Sequence, residues 1–185
     1  MTLKSKANRG PSAGPENRLA LLAAAQEVFA TQGFAAPLSA VARRAGVGQG
    51  SLYRHFPDRT ALAIAIFDEN ITALEEFAER PESTLDDLLD RVIEQALVST
   101  ALIDLVVDHA SDPRAVHLAD RLRVVVARLL AREQAAGRIG AHVGTADVIL
   151  AVSMLAGVLG RTEAADRADV ARRAWALFHA AFTPR

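Results

Sequence analysis

The chain has 185 residues, no cysteine and a formal net charge of -1. That length suffices for one sizeable core or two small linked ones. The lack of thiols excludes disulfides, thiolate chemistry and cysteine-based zinc sites, and fits a reducing, cytoplasmic setting.

The near-neutral total conceals an asymmetry. Met1–Thr60 carries eight Lys or Arg against three Asp or Glu, a net of +5, whereas Ala61–Arg185 carries thirteen against nineteen, a net of -6. A basic front on an acidic body suits a segment that meets phosphate joined to one that does not. Chance variation of surface charge is the plainer alternative. The uncharged run that starts at Val148 and stops at Arg161 is too short for a membrane span of roughly 20 residues. Lys4, Lys6, Arg9 and Arg18 lie near the start without a compact apolar block, so no secretory signal is expected.

Residues 1–14 are polar and rich in Gly, Pro, Ser and basic side chains, and read as a mobile tail. The tail either brushes a DNA backbone or is simply solvated. A first helix follows over Glu16–Gln32, with Leu21, Ala24, Ala25, Val28 and Phe29 on one stripe and Gly33 closing it. The second runs from about Leu38 to Ala45, with Leu38, Val41, Ala42 and Ala45 inward. Gly46 sits where a helix needs a left-handed closing residue. Val47 is an apolar plug and Gly48 opens a third short helix, which Pro57 stops. Leu52 and Phe56 complete the small core. Two short helices across a glycine turn form a helix-turn-helix, whose second helix can enter a major groove. Gln49 can pair with an adenine edge, and Ser51 can donate or accept. Arg54, His55 and Arg59 supply charge or donors for phosphate. Tyr53 either offers its hydroxyl to a phosphate or edges the core.

Gly46-Val47-Gly48-Gln49-Gly50-Ser51-Leu52-Tyr53-Arg54-His55-Phe56-Pro57-Asp58-Arg59-Thr60-Ala61-Leu62 resembles the signature of the tetracycline-repressor (TetR) family of bacterial regulators. The likeness spans about Leu21–Leu62, a quarter of the chain. It implies that Gln49, Gly50, Ser51, Tyr53 and His55 face DNA and decides the tyrosine for phosphate. It further implies that Arg59, where the family usually has lysine, grips a phosphate. Arg43 or Arg44 is expected to hold another. Pro37 replaces a common threonine, so a capping and phosphate-contacting hydroxyl is missing; Ser39 is placed to take part of that role.

Asp58 is expected to cap a fourth helix running to about Glu79, with Leu62, Ile66, Phe67, Ile71, Leu74 and Phe77 inward. At 1.5 Å per residue it spans roughly 30 Å, enough to link a DNA head to a separate body. Ser83-x-x-Asp86 resembles a capping box and opens a fifth helix, with Leu85, Leu88, Leu89 and Val92 inward. A short sixth helix is expected over about Ala101–His109. A seventh starts at Asp112-Pro113 and ends before Gly137. Thr145 is expected to cap an eighth, to about Leu159, and a ninth covers about Arg167–Phe182. The eighth is apolar nearly all round, with Ala151, Ser153, Ala156 and Gly157 small enough for close approach. A helix of that kind needs cover on every side. Either a second copy supplies it or the helix is the centre of a monomeric core. The family resemblance implies the former, a homodimer through helices eight and nine.

No catalytic constellation emerges, and an enzyme is not expected. His55, His109, His117, His142 and His179 include no pair at the i, i+4 spacing of helical zinc sites, so no metal or cofactor is expected. His109 and His117 straddle a proline turn and are the one pair that could converge. Asp86, Asp87 and Asp90 read as helix-start charges facing water. The family resemblance implies a small-molecule pocket among helices four to seven. Gln95, Asp104, His109, His117 and Arg121 are polar residues there, equally explained as solvated faces.

The reading is therefore an all-α chain of about nine helices: a tail (1–14), a helix-turn-helix domain (15–60) and an effector-binding and dimerisation domain (61–185). The expected function is a DNA-binding transcriptional regulator, a repressor released from a palindromic operator by a small-molecule effector. The alternative is a helical binding or interaction protein that does not bind DNA.

Overall fold

The computed structural model describes residues 14–98, 113–163 and 165–184. Among them every regular element is a helix: α1 (Gly14–Gln32), α2 (Leu38–Ala45), α3 (Gln49–His55), α4 (Arg59–Glu79), α5 (Leu85–Val98), α6 (Pro113–Ala135), α7 (Thr145–Gly160) and α8 (Arg167–Phe182). The expected eighth and ninth helices are thus α7 and α8. The short sixth, over Ala101–His109, lies outside the described residues. The chain divides into two compact units, Met1–Leu62 and Ala63–Arg185, with the boundary in the first turn of α4.

In the first unit, α1 buries Leu21, Leu22, Ala24, Ala25, Val28 and Phe29 along the face that its apolar spacing dictates. Helix α2 contributes Ala40, Val41 and Ala42, and α3 contributes Leu52, which is 1% exposed. Phe56 and Leu62 close the core. Leu38 and Ala45 are only half-buried. The Phe34 ring meets Phe29 with centroids 5.2 Å apart.

The second unit has a main core of Leu74, Phe77, Leu85, Leu88, Val126, Leu129 and Val148, with Phe182 reaching in from α8. A smaller cluster joins Leu155 and Leu159 of α7 to Ala171 of α8. Outside these cores a polar ladder binds α4 to α6. Arg121 donates from Nε to Glu75 Oε1 at 2.8 Å and from Nη2 to Glu75 Oε2 at 2.6 Å. Its Nη2 also reaches Thr72 Oγ1 at 2.9 Å, and its Nη1 pairs with Asp68. Farther along, Arg128 pairs with Glu79, and Arg132 Nη1 donates to the Arg80 carbonyl at 2.8 Å. Residue numbers rise together on both sides, so this part of α4 and α6 run in the same direction. The Arg121 hydrogen bonds hold the Glu75 carboxyl below the usual carboxylate range, outweighing the opposite push of burial.

Three helix starts differ from expectation. At α2 no side chain caps the terminus: Pro37 holds the N-cap position, its carbonyl takes the Ala40 N–H at 2.8 Å, and Ser39 makes no cap. At α5 the capping box is shifted by one residue. Thr84 N–H donates to Asp87 Oδ2 at 3.1 Å, and Asp87 N–H donates to Thr84 Oγ1 at the same distance. Ser83, one residue earlier, instead turns its hydroxyl inward to the Phe77 carbonyl at 2.6 Å. Asp87 is therefore the capping-box partner of Thr84, and the Thr84 bonds lower its pKa. At α7 the N-cap is Gly144, not Thr145; its N–H donates to Asp147 Oδ2 at 2.7 Å. The expected cap at α4 is present, with Asp58 Oδ1 accepting the Ala61 N–H at 2.6 Å.

Helix α7 buries Val148, Ala151, Leu155 and Leu159 but leaves Leu150, Met154 and Val158 exposed at 58%, 53% and 46%. These three recur every fourth residue and form one stripe. Leu177 of α8 is exposed as well. The single chain thus covers only part of the apolar surface of α7. No described helix is long and apolar enough to cross a membrane.

Candidate nucleic-acid interface

The turn between α2 and α3 is built from backbone geometry. Gly46 adopts φ 67°, a left-handed conformation that costs a residue with a Cβ roughly 1–2 kcal/mol. There its N–H lies 3.2 Å from the Arg43 carbonyl, and the next N–H, of Val47, closes on Ala42 at 3.0 Å. This double closure is the Schellman pattern that ends a helix and reverses the chain. Val47 then tucks into the core. Gly48 is the N-cap of α3 and takes the Ser51 and Leu52 N–H groups on its carbonyl at 2.9 and 3.1 Å.

Leu52 anchors α3, and the opposite side of the helix is left to solvent. Gln49, Gly50, Tyr53 and Arg54 are exposed, and Tyr53 is 53% accessible despite its ring. Their i, i+4 pairing, 49 with 53 and 50 with 54, makes one continuous arc. Ser51 and His55, also four apart, flank that arc and are half-buried. A Cβ placed on Gly50 would meet nothing within 4 Å, so no internal packing demands glycine there.

The cations around the arc differ in how they are held. Arg44 is bound by Glu27 of α1, with Nε 2.6 Å and Nη2 2.5 Å from Oε2. Arg43 is exposed and, among the described residues, makes no ion pair. Arg59 lies with its guanidinium over the Phe34 ring, 5.1 Å from the centroid. Its Nη1 is buried without a hydrogen-bond partner, although it stands in the first turn of α4, where the helix dipole disfavours a cation. A buried unpaired donor on a charged group is costly. Arg18 lies over Phe56 at 5.8 Å.

All eight candidate residues lie within or beside α2 and α3, but they are not equivalent. Gln49, Gly50 and Tyr53 share the open arc, Ser51 and His55 border it, and Arg44 has a carboxylate partner. Arg54, expected to supply charge for phosphate though not among the residues that the family resemblance implies, lies on the arc as well. Sequence reasoning missed Phe34 and Glu27, which position Arg59 and Arg44. Their contacts join residues 25 and 17 positions apart, which no local spacing reveals. Elsewhere, Asp104 and His109 lie outside the described residues, as does the Gln95 side chain. His117 is exposed, and Arg121 belongs to the α4–α6 ladder. Among the described residues no group of three or more His, Asp or Glu converges as a metal site would.

Residues 21–66 match the family model described as bacterial regulatory proteins, tetR family. A TetR transcriptional regulator from Streptomyces coelicolor superposes with a TM-score of 0.68 at 27% identity, over 90% of this chain and 98% of that one. A TetR transcription regulatory protein from Mycobacterium vanbaalenii gives a TM-score of 0.62 at 28% identity, over 81% and 96%. A γ-butyrolactone receptor described as ArpA-like shares the fold, with a TM-score of 0.58 at 20% identity, over 89% and 87%. No curated protein matches the sequence.

Proposed function

We propose that this chain, a TetR-family transcriptional regulator that binds DNA, is a homodimeric repressor released from a near-palindromic operator by a small-molecule effector. The observation that carries the proposal is the open arc of Gln49, Gly50, Tyr53 and Arg54 on a short helix pinned from behind by Leu52. A helix of that size with one polar, basic and unencumbered side suits a major groove about 12 Å wide.

The roles divide by chemistry. Gln49 can make paired bonds to adenine N6 and N7, and Ser51 and His55 reach base edges from the border of the arc. Tyr53, Arg54 and Arg43 hold phosphates. Arg59, at the start of α4 with its guanidinium over Phe34, is placed to hold a phosphate oxygen through the part of its fork that is not buried. Arg44 would have to exchange Glu27 for phosphate, so Arg43 is the stronger contact of the two. In this reading residues 15–60 form the DNA-reading domain, and residues 61–185 hold the effector site and the dimer surface.

The stripe of Leu150, Met154 and Val158, with Leu177 on the neighbouring helix, supports pairing through α7 and α8. Contiguous exposed apolar surface of this kind marks an interface. Twofold symmetry would then present two recognition helices to two half-sites. The tail expected over residues 1–14 lies outside the described residues except for Gly14, which opens α1, and a cytoplasmic location fits a chain that meets DNA. Footprinting on the DNA upstream of its own gene tests the reading. Protection of paired half-sites about one helical turn apart is expected, and its loss in Gln49→Ala. A purified protein that remains monomeric and ignores every duplex at low salt would refute it.

A further inference from the structure

Helices α5 and α8 enclose a groove of about 750 Å³, within the usual range for small-molecule sites. It exists because the facing side of α8 is mostly alanine, too short to reach α5. The groove has an apolar floor and an acidic wall. Ile93 packs on the cluster that holds Ala171, and the half-buried Trp175 ring lines the cavity. From α5, Asp90 and Glu94 enter the lining one turn apart. Among the described residues neither carboxylate has an ion-pair partner. On the opposite side Arg172, the one arginine of the lining among the described residues, donates from Nη2 to Asp169 at 3.0 Å, so its charge is already matched. At one end His179 approaches Asp86 at 3.7 Å across the two helices. The net field inside is therefore negative, beside an aromatic ring.

The geometry points to this groove as the binding site for a small organic cation with an apolar or aromatic body. Such a ligand lays its charge between the Asp90 and Glu94 carboxylates and its body against Trp175 and Ile93. The Trp175 ring face beside these two exposed carboxylates attracts a cation. An anion of the same shape meets two carboxylates and is rejected. The inference rests on the reading above that a small molecule controls DNA binding, and names its chemical class and place.

Trp175 is the only tryptophan in the chain and lines the groove, so its emission reports on occupancy. The full-length protein is titrated with tetraphenylphosphonium and, in parallel, with tetraphenylborate, an ion of nearly the same shape and opposite charge. Saturable change of Trp175 emission with the cation alone is expected, together with at least a tenfold weaker affinity in the Asp90→Asn, Glu94→Gln double variant. Both positions are exposed, so the variant should melt within a few degrees of the parent. Equal binding of the two ions, no binding of either, or a cation affinity untouched by the double variant would overturn the inference. A gel shift on the footprinted fragment separates it from the reading it rests on. Cation binding with unchanged DNA affinity keeps the groove and removes ligand-controlled release. Release by some other metabolite, without cation binding, keeps ligand control and removes the groove.

Discussion

Substituting Gly50 by alanine should raise stability and lower DNA affinity at once. The glycine is exposed and lies inside α3. It is not among the glycines with positive φ, and an added Cβ would touch nothing within 4 Å. The methyl group therefore costs nothing in the free protein, and removing a helical glycine contributes about 0.5–1 kcal/mol. Because Gly50 is near the helix start, the lower end of that range is expected. For a chain of this size that raises Tm by ~1–2 °C. On DNA the same methyl group would stand on the open arc between Gln49 and Arg54, where base edges must approach the backbone. An affinity loss of about tenfold, or ~1.4 kcal/mol, is expected. Differential scanning calorimetry and fluorescence anisotropy on a footprinted duplex read the two signs separately. A raised Tm with unchanged affinity would show that nothing comes close to Gly50. A lowered Tm would refute the conformational argument itself. Gly46→Ala is the control of opposite sign: at φ 67° it should cost about 1–2 kcal/mol of stability.

Gln49→Ala should lose about 1–3 kcal/mol on the operator and relax sequence preference; equal losses on operator and random duplex would deny it a base contact. Arg59→Ala should weaken binding to all sequences and reduce the slope of log K against log salt by about one, which a salt titration measures. Met154→Lys places a charge in the exposed apolar stripe and should shift the protein from dimer to monomer in analytical ultracentrifugation, with little change in helicity. Glu75 has a folded-state pKa below its unfolded value, so the stability it contributes is present above the ordinary carboxylate range and is lost as pH falls through and below it. Glu75→Gln should accordingly flatten the acid limb of a Tm-against-pH curve, and an unaltered limb would place acid sensitivity elsewhere.

Local chemistry made the helix-turn-helix legible. Gly46, Gly48 and Pro57 punctuate the chain within a dozen residues, and the bounds of α2 and α3 follow from them. The Asp58 cap was equally local. What escaped was decided by tertiary context. Ser83 and Thr84 are adjacent hydroxyls, each followed three residues later by an aspartate, and only the core position of the Phe77 carbonyl chooses Thr84 as the cap. Gly144 displaces Thr145 because Asp147 serves the backbone N–H directly. At the site, Arg43 and Arg44 are both exposed, and only the Glu27 carboxylate that α1 brings alongside Arg44 separates them. Arg121, a candidate pocket residue in the sequence, is committed to Asp68, Thr72 and Glu75, none of which lies near it in the chain.

That ladder also fixes how part of the molecule can move. Its attachment points on α4, from Asp68 to Glu79, lie along a single side over three turns, and the Arg80 carbonyl just past the helix end adds a last one. An axial slip of α4 against α6 would have to break the rungs together, since no one of them can be stretched while the others hold. Residues 68–80 and α6 therefore travel as a splinted pair.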